Sequence, residues 1–129
     1  MKKALLNIAG AALATMIVMA PISASADTKG SFIGASDHIT TGGVTIVKNA
    51  DGSAVVILDS NFSLDGAPDP RVGFGKDGKF ADVSDLGPLT KKDGLQVYLV
   101  PASVNVDDYN EVYIWCKKFS VPLGVASVK

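Results

Sequence analysis

Asp-Gly turns divide most of this chain of 129 residues into short runs of β-favouring residues. Asp51-Gly52, Asp77-Gly78 and Asp93-Gly94 each supply a glycine, which adopts the positive φ angle that a tight turn needs. The runs lie at Gly43–Val47, Ala54–Leu58, Arg71–Phe74, Leu95–Val100, Glu111–Cys116 and Phe119–Leu123. Many short strands at this spacing predict an all-β domain, built as a single antiparallel β-sandwich or a partly closed barrel.

Residues 1–26 have the pattern of a secretory signal peptide. The start Lys2-Lys3 is positive, Ile8–Ala20 is an uncharged, largely apolar run, and Ala24-Ser25-Ala26 supplies the small residues that signal peptidase requires. The apolar run is short for a helix spanning about 30 Å of lipid, and an uncleaved anchor is the alternative. We therefore expect a periplasmic or secreted protein with a β domain at 27–129 and no stable membrane insertion after cleavage.

The charge balance and the scarcity of ligand-type residues exclude several classes of partner. Twelve basic and thirteen acidic residues give a net charge of −1, which does not favour nucleic-acid binding. The chain contains one cysteine, Cys116, and one histidine, His38. A lone cysteine forms no internal disulfide, and a closed zinc site needs four ligands, usually cysteine and histidine. We therefore predict no metal site.

The last third of the chain resembles the closing signature of the DM13 domain family. Tyr109 precedes a β-run that ends in Ile114-Trp115-Cys116, and Phe119-Ser120-Val121 and Gly124-Val125-Ala126 follow it. Upstream, the similar segments are Gly30–Phe32, His38 with Thr41–Val44, Asp59–Phe62, Ala67–Asp69 and Val97–Pro101. The resemblance therefore covers residues 30–128, essentially the whole predicted β domain.

The resemblance implies a role in extracytoplasmic electron transfer. In this family the cysteine, here Cys116, is expected to act as a bare thiol or as a ligand to a haem-like group. Relatives often accompany DOMON and cytochrome b561-type modules, which implies a separate extracytoplasmic redox partner acting in trans. We accordingly expect an electron-transfer or binding module rather than an enzyme on its own. Its expected oligomeric state is a monomer or a dimer linked through Cys116.

Prolines mark the places where the chain departs from the family pattern. The stretch Asp65–Pro70 contains two prolines in three residues and is predicted to be a loop. The strand that follows contains Pro70 and Gly73, so we expect it to lie at an edge of the sheet or to carry a bulge. Pro122 precedes Leu123, where the family has an aromatic residue, and this change puts the packing of the last strand in doubt.

Cys116 is the candidate redox residue. In a strand, Cys116 points to one face and Trp115 to the other. Lys117 and Lys118 follow directly and place positive charge near the sulfur, which is the setting of reactive cysteines. An unpaired cysteine in an exported protein also risks oxidation unless it is shielded or used. The alternative is a buried structural cysteine in a non-catalytic binding or adhesion β-sandwich.

His38 and Trp115 complete the predicted site. His38 is the only imidazole that could join Cys116 as a haem ligand, and Trp115 could stack on such a group. Their alternatives are a solvated loop histidine and an aromatic ring packed in the core. A Cys–His nucleophilic pair is a third hypothesis. It requires the two side chains within hydrogen-bond reach and an orienting group that the sequence does not indicate.

Overall fold

The computed structural model describes residues 27–129, and the predicted signal peptide lies outside the described residues. Ten strands occur in this part of the chain: β1 (Asp27–Gly34), β2 (Thr40–Thr41), β3 (Gly43–Lys48), β4 (Ala54–Leu58), β5 (Ser63–Leu64), β6 (Pro70–Lys76), β7 (Lys79–Phe80), β8 (Gln96–Val100), β9 (Glu111–Cys116) and β10 (Val121–Ser127). Its only helices are single 3₁₀ turns at Asp82–Ser84 and Val106–Asp108. The all-β prediction is therefore confirmed. None of the described helices is long and apolar enough to cross a membrane.

Eight of the strands form one antiparallel sheet that curls into a half-barrel. Its order is β7-β6-β9-β10-β1-β3-β4-β8, and β2 and β5 pair separately as a short ribbon. Every second side chain of a strand points to the concave face of the curled sheet and forms the core. In β4, Ala54, Val56 and Leu58 are buried, while Val55 and Ile57 are only partly covered. The sheet therefore wraps its core instead of stacking on a second large sheet.

The first strand, β1, joins the two halves of the sheet. Residues Asp27–Ser31 pair with β3, whereas Phe32–Gly34 pair with β10. A strand that changes partners in this way turns a corner between two sheet halves. Gly30 lies at this corner, and a Cβ atom there would collide with the backbone oxygen of Ser127. The absence of a side chain thus allows β1 to approach β10 closely.

The irregularity expected in β6 is found in β10 instead. β6 pairs with β9 in an unbroken register from Pro70 to Gly75 and is second from the edge, partly covered by the short strand β7. In β10 the register shifts between Pro122 and Gly124. Proline cannot donate a ladder hydrogen bond, which explains a bulge at this point. Leu123, between them, is nevertheless fully buried, so the last strand packs well despite Pro122.

Candidate functional site

Cys116 lies at the end of β9, inside the curled sheet. It is opposite Pro70 of β6 and Val121 of β10, so its strand has a neighbour on both sides. The side chain is 1% exposed and belongs to the hydrophobic core cluster. Its Sγ donates a hydrogen bond of 3.1 Å to the carbonyl oxygen of Pro68. The thiol is therefore shielded from solvent and has a partner for its proton.

The loop that shields the thiol connects β5 to β6. We call residues 65–69 the covering loop. Its C-terminal end is held to β9, because Lys117 N donates to Asp69 O at 3.1 Å, beside the bond from the thiol to Pro68. These two hydrogen bonds hold the end of the covering loop against the end of β9.

The other end of the covering loop is held by Asp65. Its Oδ1 lies 2.9 Å from His38 Nδ1, and its Oδ2 accepts a hydrogen bond of 3.0 Å from Ile39 N. The bond from His38, followed by the bond from Ile39, holds the pKa of the Asp65 carboxyl below its usual value. The Asp65 carboxylate thus fastens the loop to the turn between β1 and β2.

His38 and Cys116 contact the same loop but not each other. In the described chain no hydrogen bond joins them, and their partners, Asp65 and Pro68, are three residues apart. The arrangement therefore lacks the Cys–His contact that a thiol hydrolase needs. His38 is 28% exposed in its loop. Its observed contact is the one that anchors the covering loop.

The observed arrangement does not fit a haem held between these two side chains. Two depressions on the surface of residues 27–129 have volumes of about 370 and 210 Å³, and neither is lined by His38 or Cys116. The Sγ atom is directed to a backbone oxygen instead of a cavity. In the described part of the chain, no group of three or more His, Cys, Asp or Glu residues could hold a metal ion. We therefore derive no chemical step through haem or a metal.

Trp115 lies on the outer face of β9. Its ring stacks on Phe80, with centroids 4.5 Å apart and planes 9° from parallel, and meets the ring of Tyr113 edge-on at 6.3 Å. We call Phe80, Tyr113 and Trp115 the outer aromatic cluster. Trp115 also lines the larger depression, together with Asp82, Asp85, Lys117 and Ser120. The predicted stacking residue is thus held in place by other aromatic rings and remains partly exposed.

Charged and polar groups surround the outer aromatic cluster. Arg71, opposite Trp115 in the sheet, has its Nε 3.3 Å from Asp85 Oδ2. Tyr113 OH donates to Glu111 Oε1 at 3.2 Å. Burial first, and then the negative charge of Glu111 and this hydrogen bond, raise the pKa of Tyr113 to about 12. Tyr113 therefore remains protonated well above neutral pH.

The covering loop is the part of the site that sequence analysis missed. The prolines correctly predicted a loop at 65–69, although Pro70 already belongs to β6, but they did not predict that the loop would lie against Cys116. Pro68 and Cys116 are 48 positions apart, and Asp65 and His38 are 27 apart. The only available signal was Asp65 at the start of a proline-containing segment, because Asp69 holds the other end through its backbone oxygen, which any residue would supply. A carboxylate in this position suggests anchoring but does not identify its partners.

Comparison with known proteins identifies the family. The chain matches the family model described as Electron transfer DM13 over residues 31–128. Searches of curated proteins and of solved structures found no match. The matched span contains β2 to β10, the covering loop and Cys116. With more than half of its length matched, including the Ile-Trp-Cys end of β9, the chain belongs to the electron transfer DM13 family.

Proposed function

We propose that this domain transfers electrons through Cys116, which the covering loop shields until a partner binds. Family membership supports a redox or electron-transfer role. The observation that supports Cys116 as the working group is its placement. It is the only sulfur atom in residues 27–129, and a loop carbonyl, Pro68 O, accepts a hydrogen bond from its thiol. Shielding protects an unpaired thiol from oxidation in an oxidising compartment, where we propose that the protein is located.

Thiol–disulfide exchange is the reaction that this arrangement supports best. When the covering loop moves, the Cys116 thiolate attacks one sulfur of a disulfide on a separate extracytoplasmic protein. A mixed disulfide forms, the partner's S–S bond breaks, and the second sulfur leaves as a thiolate that takes up a proton. Cys116 is oxidised and the leaving sulfur is reduced, so the step needs no additional electron acceptor.

The surface beside Cys116 offers a contact area for such a partner. Phe119, in the turn between β9 and β10, is 61% exposed, and the ammonium group of Lys118 lies 5.7 Å from the centre of its ring. Trp115 and Lys117 open to the neighbouring depression. Exposed aromatic rings flanked by positive charge suit a partner with apolar and acidic groups. We propose that partner binding here displaces the covering loop.

The rate at which Cys116 reacts in the native protein tests this proposal. We expect the purified chain to react slowly with an aromatic disulfide reagent, but faster than it unfolds. Asp65→Asn removes the charge that holds the covering loop and should accelerate the reaction by about tenfold, the effect of losing about 1.5 kcal/mol of a charge-assisted hydrogen bond. Asp37→Asn, one residue from His38, is the matched control and should leave the rate unchanged.

Two further measurements make the outcome decisive. The unfolding rate of each variant is followed by Trp115 fluorescence, and glutathione disulfide is used as a second probe. We expect one glutathionyl adduct on the native chain and none on Cys116→Ser. A thiol that reacts only as fast as the chain unfolds, in both the wild type and Asp65→Asn, would falsify the redox role of Cys116.

The burial of Cys116 favours a second candidate function. At 1% exposure within the core cluster, the side chain also fits a structural cysteine in a non-catalytic binding domain. That function predicts a thiol that does not react until the protein unfolds, whereas the redox function predicts that the thiol reacts when the covering loop opens locally. The thiol measurement above therefore distinguishes the two candidates.

A further inference from the structure

We propose that β8 is an association edge, at which two copies of this chain pair antiparallel to form a non-covalent dimer. β8 is the last strand of the eight-stranded sheet and pairs only with β4. Among the described residues, no backbone group from Gln96 to Val100 forms a hydrogen bond on the other side of the strand. A second strand can satisfy this row of N–H and C=O groups.

The edge lacks the features that usually prevent strand pairing. Edge strands are commonly protected by charged side chains, prolines or bulges. The stretch Leu95–Val100 contains no charged residue, no proline and no glycine. Its register with β4 is unbroken from Gln96 to Val100, so no bulge twists it away from an approaching strand. The edge is therefore both accessible and regular.

Apolar side chains extend this edge onto the outer face of the sheet. Val97 is 55% exposed and Leu99 is 76% exposed. Val97 lies opposite Ile57, and Leu99 lies opposite Val55 on β4. In an antiparallel pair of β8 strands, Val97 and Leu99 of each copy would lie beside the same residues of the other copy, where cross-strand apolar contacts stabilise pairing. Part of the exposed apolar surface would then be covered.

Charge complementarity favours a second copy of this chain as the partner that pairs with β8. Exposed Lys91 and Lys92 precede β8 and outnumber the one acidic residue beside them, Asp93, which accepts a hydrogen bond from Ser63 Oγ. The side-chain amide of Gln96 donates to Lys91 O, which keeps this basic segment at the Gln96 end of the strand. At the Val100 end lie Asp51, in the turn that leads to Ala54, and Asp107, which pairs with Lys48. Antiparallel two-fold pairing brings the basic end of each copy to the acidic end of the other, twice per dimer.

The proposed dimer is independent of the electron-transfer proposal. β8 ends one side of the sheet, and β9, which carries Cys116, is the third strand from the other end. Trp115 on β9 is distant from β8 in the sheet order, whereas the side chain of Lys92 lies beside Gly66, so the second copy approaches the covering loop at that end of β8. The dimer contains no bond to Cys116, in contrast to a thiol-linked dimer.

Analytical ultracentrifugation of the purified chain tests this inference. We expect a reversible dimer in the wild type. Leu99→Lys places a charge between the two paired β8 strands and should raise the dissociation constant of the dimer by about tenfold or more. Ile33→Lys is the matched control, because Ile33 on β1 is 74% exposed and distant from β8 in the sheet order. This variant should dimerise like the wild type.

A charge exchange tests the orientation of the two copies. Lys92→Glu should weaken the dimer, and adding Asp51→Lys to the same chain should restore much of the lost affinity. A wild-type chain that remains monomeric at high concentration would refute the proposal. So would a dimer that persists in Leu99→Lys, or one that disappears on addition of dithiothreitol or in Cys116→Ser.

Discussion

A thiol and a phenol lie on opposite faces of β9, and their surroundings determine what each can do. Cys116 faces the core and donates a hydrogen bond to the neutral carbonyl of Pro68. Tyr113 faces the outer aromatic cluster and donates to the carboxylate of Glu111. Ionising Tyr113 would therefore place two negative charges side by side in a buried setting, whereas Cys116 has no acidic hydrogen-bond partner. The proposed thiol–disulfide exchange therefore involves Cys116 and not Tyr113.

Titration of Tyr113 tests this description of the outer face. Its pKa is raised from 10.0 to about 12 in the folded chain. Between these two values the unfolded state has lost the phenolic proton and the folded state still holds it. The free energy of unfolding should therefore fall as pH rises from 10.0 to about 12, while the stabilisation is fully present below this range. Phenolate absorbance, compared between the wild type and Tyr113→Phe, measures the pKa directly.

Glu111→Gln separates the causes of this shift. The substitution removes the negative charge and weakens the hydrogen bond, but leaves the burial of Tyr113 unchanged. Because burial is the largest cause, we expect the pKa of Tyr113 to fall only part of the way back to 10.0. A complete return to 10.0 in Glu111→Gln would show that the carboxylate, and not burial, dominates.

At the scale of elements, the 3₁₀ turn Asp82–Ser84 secures β6 through one buried hydroxyl. Ser84 is fully buried, and its Oγ accepts from Phe74 N at 2.7 Å. The same hydroxyl lies 2.7 Å from Ala81 O and 3.0 Å from Phe74 O, to either of which it can donate. It therefore satisfies the N–H group of Phe74 in the interior, where an unpaired backbone group is costly, and donates its single proton to one of the two carbonyls.

Ser84→Ala should destabilise the fold more than its small change in volume suggests. The loss leaves Phe74 N without this acceptor, and we expect the free energy of unfolding to fall by about 1–3 kcal/mol. Urea denaturation followed by circular dichroism measures the change. Ser103→Ala, at an exposed position, is the control and should remain within about 0.5 kcal/mol of the wild type. Equal stability of both variants would contradict the role given to the hydroxyl.

Local sequence patterns predicted the strands better than they predicted contacts between distant segments. The predicted runs at Ala54–Leu58 and Glu111–Cys116 coincide with β4 and β9. The predicted run at Phe119–Leu123 begins too early, because Ser120 has a φ of 53° in a turn and β10 starts at Val121. The strand Asp27–Gly34 was not predicted, since its pairing depends on β3 and β10.

The same contrast between local patterns and long-range contacts applies to the candidate site. Strand alternation correctly placed Cys116 and Trp115 on opposite faces of β9, because this depends on local geometry alone. The covering loop depends on the bond from Cys116 to Pro68 and on Asp65 reaching His38, which are contacts between distant parts of the chain. Such contacts follow from the closed sheet and leave no periodic signal in the sequence.

At the scale of the whole molecule, β1 makes the two halves of the sheet depend on each other. The strands β6, β7, β9 and β10 lie on one side of β1, and β3, β4 and β8 lie on the other. Both halves contribute to one core, in which Phe32 of β1 meets Phe62 with ring centroids 5.4 Å apart. Since neither half has a core of its own, we expect them to unfold together.

Gly30→Ala tests this coupling at the corner of β1. The new Cβ would meet the backbone oxygen of Ser127, which cannot move without shifting β10, and we expect a loss of about 1–3 kcal/mol in the free energy of unfolding. Ser31→Ala, at the exposed neighbouring position, should cost much less.

In both variants, Trp115 fluorescence reports the half that contains β9, and far-ultraviolet circular dichroism reports the whole sheet. Because β1 belongs to both halves, the two signals should change at the same urea concentration even in Gly30→Ala. Separate midpoints would show that the β9 half is stable without β3, β4 and β8, and that the curled sheet consists of two independent units.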